Sequence, residues 1–245
     1  MPSGGWRDPG GHPFQANAHM HLLEAALAWE ALDPNGDWAA MSDAIISLAS
    51  AKFIDDRGGF LREFFEEDWR PAAGEAGRLV EPGHQFEWAW LLTRWARLRG
   101  DSRGLDTARR LFACGEIGLD PKRGVAIDEL DETLRPRSTR ARLWPQTEWL
   151  KASLILAEEA EGDERVRLID SSARALRALD LYLEPHGLWR DKLGADGQFV
   201  KEPAPASSLY HIGAAAGQLR LTLPALQPPP TGSQDRPAHA GALFG

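Results

Sequence analysis

Four short polar motifs recur along this chain at an almost fixed distance, and that regularity restricts its fold more than any other feature. Asn17-Ala18-His19-Met20-His21 opens one apolar stretch and Gly83-His84-Gln85-Phe86-Glu87-Trp88 a second. Trp144-Pro145-Gln146-Thr147-Glu148 opens a third and Ser207-Ser208-Leu209-Tyr210-His211 a fourth. His21 and His84 are 63 residues apart, His84 and Glu148 are 64 apart, and Glu148 and His211 are 63 apart. A period of this size marks one structural unit used repeatedly, here a helical hairpin, and stacked repeats set equivalent residues side by side. Four unrelated helix caps would not be expected to keep that register.

The stretches between the motifs read as helices. One runs from Asn17 to Leu32 and stops at the turn signal Asp33-Pro34-Asn35-Gly36. Asp37 is the expected cap of the next, from Trp38 to about Phe53. The helix opened by Gly83 stops at Arg99-Gly100, and Asp101 or Ser102 caps its successor, which runs to Ile117. Pro145 suits the first turn of a helix continuing through Leu156. Asp163 to Leu183 is amphipathic, and the last helix runs from Ser207 to about Leu223. Of these seven helices, four carry the polar motifs at their starts and three are plain. In a ring of hairpins the inner helices all point the same way, so the decorated starts converge at one mouth. Gly58 to Glu66 reads as a hairpin arm or a loop, Val125-Ala126-Ile127 as a short strand, and Leu188–Arg190 is expected to pair with Gln198–Val200. The Gly- and Pro-rich lead-in, residues 1–15, reads as flexible, residues 16–223 as one domain, and residues 224–245 as a disordered Pro-rich tail.

Composition narrows the function classes. Acidic residues outnumber basic ones 36 to 28, for a net charge of −8, and no basic cluster stands out. Nucleic acid and membrane are therefore not expected partners. With 43% hydrophobic residues, a chain of 245 can bury a sizeable core. Cys114 is the only cysteine, which excludes an intrachain disulfide or a cysteine metal cluster; it reads as a small buried apolar residue. No apolar run approaches the ~20 residues a spanning helix needs, and the start has no signal-peptide pattern, so the expected location is cytoplasmic.

Taken together and in this order, Asn17-Ala18-His19-Met20-His21-Leu22-Leu23-Glu24-Ala25, Gly83-His84 with Glu87-Trp88, Trp144-Pro145-Gln146-Thr147-Glu148 and Tyr210-His211 resemble the N-acylglucosamine 2-epimerase superfamily, and within it the mannose-isomerase-like branch of aldose–ketose isomerases. Ala18 stands where the motif usually has proline. The resemblance implies an all-α fold, a partial (α/α)6 barrel with about seven of the twelve helices and short β-hairpin arms in the connections. It covers about Asn17 to Leu223 and leaves the family's first five helices without a counterpart. A homodimer, or a separate chain supplying those helices, is thus an expected partner beside a small-molecule sugar.

Aldose–ketose interconversion needs the sugar ring opened, a proton taken from C2, an enediol formed and a proton returned at C1. Histidine suits both transfers because its free pKa lies near neutrality. By resemblance, His211 is the candidate for the shuttle between C1 and C2, and His84 for ring opening or for protons on the sugar oxygens. Glu87 and Glu148 would orient the histidines or bind hydroxyls, and Asn17 and His21 would donate to sugar oxygens. Trp88 and Trp144 would pack against the sugar, and Arg78 would anchor an anionic or hydroxylated end. His19 points away from His21 on a helix and reads as a packed or capping residue. A metal held by His19, His21 and Glu24 is a minor alternative; the isomerisation calls for no metal or other cofactor. Three other readings compete. A 2-epimerase would return the proton to the opposite face of C2, a glycoside hydrolase would use Glu87 and Glu148, and a non-catalytic remnant would only bind carbohydrate.

Overall fold

In the computed structural model, which describes residues 5–226, the chain forms seven α-helices: α1 (Ala16–Leu32), α2 (Trp38–Leu48, continued by a π-helical turn over Ala49–Phe53), α3 (Pro82–Arg99), α4 (Ser102–Ile117), α5 (Leu143–Glu158), α6 (Gly162–Asp180) and α7 (Ser208–Leu226). Helices α3 and α5 are buried almost all round near their starts, which requires neighbours on every side. The packing supplies them. α1, α3, α5 and α7 form a continuous inner row, α1 against α3, α3 against α5 and α5 against α7. α2, α4 and α6 back α1, α3 and α5 as the outer members of helical hairpins. The result is a partial (α/α)6 barrel. One continuous core joins the layers, with Met20, Leu23, Phe53, Phe86, Trp88, Phe112 and Trp149 among its fully or almost fully buried side chains.

Local chemistry sets the helix ends. Pro82 opens α3 at a position that needs no amide hydrogen, and Gly100 closes it at φ 62°, the left-handed conformation that glycine adopts without strain. Asp101 caps α4 by accepting from the Gly104 amide at 2.9 Å. Asp37 precedes α2 without capping it through its side chain; Asp33 instead accepts from Trp38 Nε1 at 3.1 Å. α7 continues through Pro224 to Leu226, past the expected stop. Its proline lies so near the helix end that the lost hydrogen bond falls on an exposed turn.

Short antiparallel pairs tie the connections down. β1 (Phe14–Gln15) pairs with β2 (Phe64–Phe65), β3 (Leu119–Asp120) with β4 (Val125–Ala126), β5 (Glu129–Leu130) with β6 (Pro136–Ser138), and β7 (Ala141–Arg142) with β8 (Lys192–Leu193). Leu188–Arg190 and Gln198–Val200 do not pair with each other: Trp189 bridges to Leu183 and Phe199 to Leu193. The lead-in is also packed rather than loose over its described part. Phe14 is buried and stacks on Trp69 at 4.0 Å, an apolar anchor that the Gly and Pro content around it conceals. Residues 227–245, most of the expected tail, lie outside the described residues.

Three inner helices grip the chain ahead of them in a similar way. The buried amide of Gln85 on α3 accepts from the Leu61 amide (2.8 Å) and donates to the Leu61 carbonyl (3.0 Å). Gln146 on α5 does the same to Ala126, both contacts at 2.8 Å. On α1 the fully buried His19 faces the Gln15 carbonyl through Nδ1 (2.7 Å) and accepts from the Trp6 amide through Nε2 (3.0 Å). At the other end, Arg99 of α3 reaches Glu30 (2.6 Å) and Asp43 (2.8 Å), and Arg97 reaches Glu158 (2.7 Å). Both ends of the inner row are therefore fixed.

Candidate active site

The starts of the four inner helices surround a cavity of about 260 Å³ lined by Asn17, His21, Glu81, His84, Glu87, Arg142, Trp144 and His211. Asn17 and His21 come from the first turns of α1, His84 and Glu87 from α3, Trp144 from α5 and His211 from α7, while Glu81 and Arg142 immediately precede α3 and α5. Trp144 stands between the two histidines, its ring 4.9 Å from that of His84 and 5.7 Å from that of His211. It can pack there because position 83 is glycine. A Cβ at that position would come within 2.4 Å of the Trp144 ring.

His84 is buried and its Nδ1 lies 2.8 Å from Glu63 Oε2 and 3.0 Å from Glu81 Oε2. Burial alone would disfavour its charge, but the two carboxylates outweigh that and raise its pKa well above the usual value, so it is an imidazolium at neutral pH. Glu81 is drawn the other way. Burial would raise its carboxyl, yet His84 and then Arg142, whose Nη2 is 2.8 Å away, bring it down to about 2. Burial keeps Glu63 above the ordinary carboxylate range.

His211 has a different support. Its Nδ1 lies 2.8 Å from Glu148 Oε1, and the other oxygen of Glu148 forms a 2.7 Å ion pair with Lys151 Nζ, close but not aligned as a hydrogen bond. Both Glu148 and Lys151 are fully buried. Burial works against each charge, but their mutual attraction prevails, lowering the carboxyl pKa of Glu148 and raising that of Lys151. Glu87 is equally buried and neither of its oxygens has a hydrogen-bond partner. Burial, followed by the charge on Glu148, pushes its carboxyl up to about 7. On the open side, His21 lies 4.0 Å from Glu24, which also accepts from the Tyr210 hydroxyl, so α1 and α7 meet across the mouth. The carboxylate of Glu24 beside it is the main reason that the His21 pKa is raised.

Of the residues singled out in the sequence, Asn17, His21, His84, Glu87, Trp144 and His211 are thus brought to one cavity, with Glu148 directly behind His211. Two are not. Trp88 is fully buried, edge-on to Phe53, because it lies next to Glu87 on α3 and so faces the core. Arg78 is held outside by Glu132, 3.1 Å from its Nε. Glu63, Glu81, Arg142 and Lys151 belong to the site or its support and carry no motif of their own; Glu81, three residues before His84, is the one whose helical spacing could have revealed it.

Among the described residues, three triplets, His21–Glu24–Glu87, Glu63–Glu81–His84 and Glu87–Glu148–His211, bring donor atoms within 4.8 Å of one another, a spacing that acidic clusters also show without any cation. In the last two, the histidine Nδ1 is already shared with a carboxylate. His19 belongs to none of them, since both of its ring nitrogens are engaged by the backbone. Among the described residues no helix is long and apolar enough to cross a membrane.

Comparison with known proteins places this geometry in a family. Mannose-6-phosphate isomerase of Rhizobium meliloti (strain 1021) is 51% identical over 217 residues, which are 86% of this chain and 56% of that protein, so the chain spans little more than half the length of its relative. Among solved structures, cellobiose 2-epimerase of Spirochaeta thermophila DSM 6192 superposes with a TM-score of 0.75 at 20% identity, covering 90% of this chain and 57% of that one. A D-mannose isomerase superposes at 0.71 with 19% identity, covering 88% and 58%. These two likenesses concern the fold. The sequence profile of the N-acylglucosamine 2-epimerase (GlcNAc 2-epimerase) family matches residues 6–215, and the chain belongs to that family.

Proposed function

We propose that this chain carries the catalytic centre of a sugar isomerase that interconverts an aldose and its 2-ketose, of the mannose and fructose type, through an enediol. The observation that supports it most is the pair of unlike histidines, His84 and His211, on either side of Trp144 at one small cavity. Among the described residues each uses Nδ1 for a carboxylate and leaves Nε2 without a protein partner. In this reading Nε2 of His211 removes the proton from C2, and the C–H electron pair becomes the C1–C2 double bond of the enediol. His84, as an imidazolium, supplies a proton to the oxygen at C1. Return of the carried proton to C1 and transfer of the proton on O2 to the now neutral His84 complete the ketose and restore both histidines. Asn17 and His21 donate to sugar hydroxyls, and Trp144 packs against the carbon skeleton. The name of the R. meliloti relative and the fold shared with a D-mannose isomerase agree with this chemistry.

The family profile and the epimerase fold neighbours favour a second outcome for the same machinery, return of the proton to the other face of C2. A hydrolase is disfavoured, because Glu148 is sealed from the cavity by its contacts with His211 and Lys151 and could not flank a glycosidic bond. Arg142, an arginine lining the cavity, is held by Glu81 and Asp128. The test is incubation of the protein with mannose and with mannose 6-phosphate in deuterated water. Fructose or its phosphate with deuterium at C1 is the expected product. A second aldose deuterated at C2 would favour the epimerase, and no exchange with either sugar would remove both.

A further inference from the structure

Lys151 has no part in the chemistry just described, yet its ammonium is buried at the site. It is fully buried, two turns into α5, with Nζ 2.7 Å from Glu148 Oε2 and 3.9 Å from the centre of the Trp90 ring. Sealing an ammonium away from water costs several kcal/mol unless opposite charge surrounds it, and an apolar side chain of similar size would fill the space at no such cost. The charges that act on it come from three inner helices, Glu24 on α1, Glu87 on α3 and Glu148 on α5. Those carboxylates have cations or histidines of their own beside them, His21 and His84 near Glu87, His211 near Glu87 and Glu148, and Arg94 near Glu24. Arg94 lies 4.6 Å from the same Trp90 ring.

Charge counting shows what the ammonium does. Glu148 is wedged between Lys151 and His211, one oxygen to each, while Glu87 has no hydrogen-bond partner and lies within 4.8 Å of both Glu148 and His211. With Lys151 present, the charge of Glu148 is cancelled and Glu87 can ionise in the same pocket. Without it, two buried carboxylates would share one imidazole, and one of them would have to stay protonated.

We propose that Lys151 is a positioning residue whose ammonium holds Glu148 as the carboxylate that orients His211 and thereby allows Glu87 to release its proton beside it. Its use in turnover rests on the isomerase reading; its effect on the protons of the cluster does not, and can be measured without any substrate.

The experiment is a carboxyl-carbon NMR titration of protein labelled with ¹³C-glutamate, the Glu87 signal being assigned by its loss in Glu87→Gln. In the unaltered protein the Glu87 midpoint is expected near 7, where burial and the charge on Glu148 push it. In Lys151→Met its midpoint rises by about one pH unit or more. A role in packing alone would be met by methionine, so an unchanged midpoint overturns the proposal. Should Lys151→Met not fold, Lys151→Gln, which keeps a polar side chain beside Glu148 without the positive charge, is titrated in its place. Its Glu87 midpoint rises likewise, and an unchanged midpoint overturns the proposal. Absence of turnover by the unaltered protein would remove the isomerase reading and leave the titration result standing.

Discussion

His84 and His211 face one cavity but are supported in opposite ways. His84 sits between two carboxylates, Glu63 from the preceding connection and Glu81 from the edge of its own helix. His211 meets a single carboxylate, Glu148, on the neighbouring helix, and that charge is already balanced by Lys151. Two carboxylates, of which Arg142 pairs with only Glu81, favour a proton on His84, whereas a single carboxylate paired with Lys151 aims the ring of His211. One site thus offers a resident acid and an oriented ring beside it, and the difference comes from the charges behind the histidines.

The sharpest way to break this contrast is to remove each histidine in turn. His84→Asn and His211→Asn should each lower kcat by about 10²–10⁴-fold, the usual worth of positioned acid–base catalysis. They should not be alike in deuterium exchange. His211→Asn should stop exchange at C2 of the aldose, followed by proton NMR, while His84→Asn should retain slow exchange without accumulating ketose. Equal loss of exchange in both variants would make the two histidines interchangeable and end the division of roles.

Stability should separate the two supports next. Glu148→Ala strands the buried Lys151 and is expected to cost about 3–5 kcal/mol in urea denaturation, as for any buried pair deprived of one partner. Glu81→Ala should cost clearly less, since Glu63 still faces His84 and Glu81 is partly open to solvent. Similar losses would mean that the two clusters are built alike after all.

The same contrast explains what the sequence reveals. The repeat of about 63 residues exposes both histidines and Glu148, because equivalent starts of stacked hairpins must come together at the mouth. It reveals the inner row of helices for the same reason. Glu63 is invisible to it, since it lies in a connection whose path depends on the clamp of Gln85 on Leu61, a contact across 24 residues. Lys151 is hidden differently. A lysine on a helix ordinarily reaches solvent, and only the burial of α5 on all sides makes this one a part of the site. Trp88 misleads because neighbours on a helix point apart, so the residue beside a cavity-facing glutamate faces the core. The order of the lead-in depends on Phe14 stacking on Trp69, a pairing across 55 residues that no local signal announces.

Acidity should affect the two clusters in opposite directions. The Glu81 carboxyl is held at about 2, below its ordinary 4.5, so its contribution to stability is present above pH 4.5 and is lost as the pH falls toward 2. The Glu87 carboxyl is raised to about 7, so its contribution is present below pH 4.5 and is lost as the pH climbs through 7. In urea midpoints measured across pH, Glu81→Gln should flatten the limb between about pH 2 and 4.5 and Glu87→Gln the limb between pH 4.5 and about 7. A change of both limbs in either variant would mean that the clusters titrate as one.

The smallest effect should come from the residue that touches both histidines. In Gly83→Ala the new Cβ would lie 2.4 Å from the Trp144 ring, which must tilt, since Pro145 is only 3.1 Å away on the same side. Trp144 is half-buried and can give way, so the cost should fall near the low end for overpacking, about 1 kcal/mol. Its consequence for the site is more telling than its size. The Trp144 ring lies closer to His84 than to His211, so the ring-proton NMR signals of His84 should move more than those of His211, and those of His19, on the far side of α1, should stay in place. If only His211 moved, the tryptophan would be leaning on the single-carboxylate histidine, and the wedge that keeps the acid apart from the oriented ring would have to be placed elsewhere.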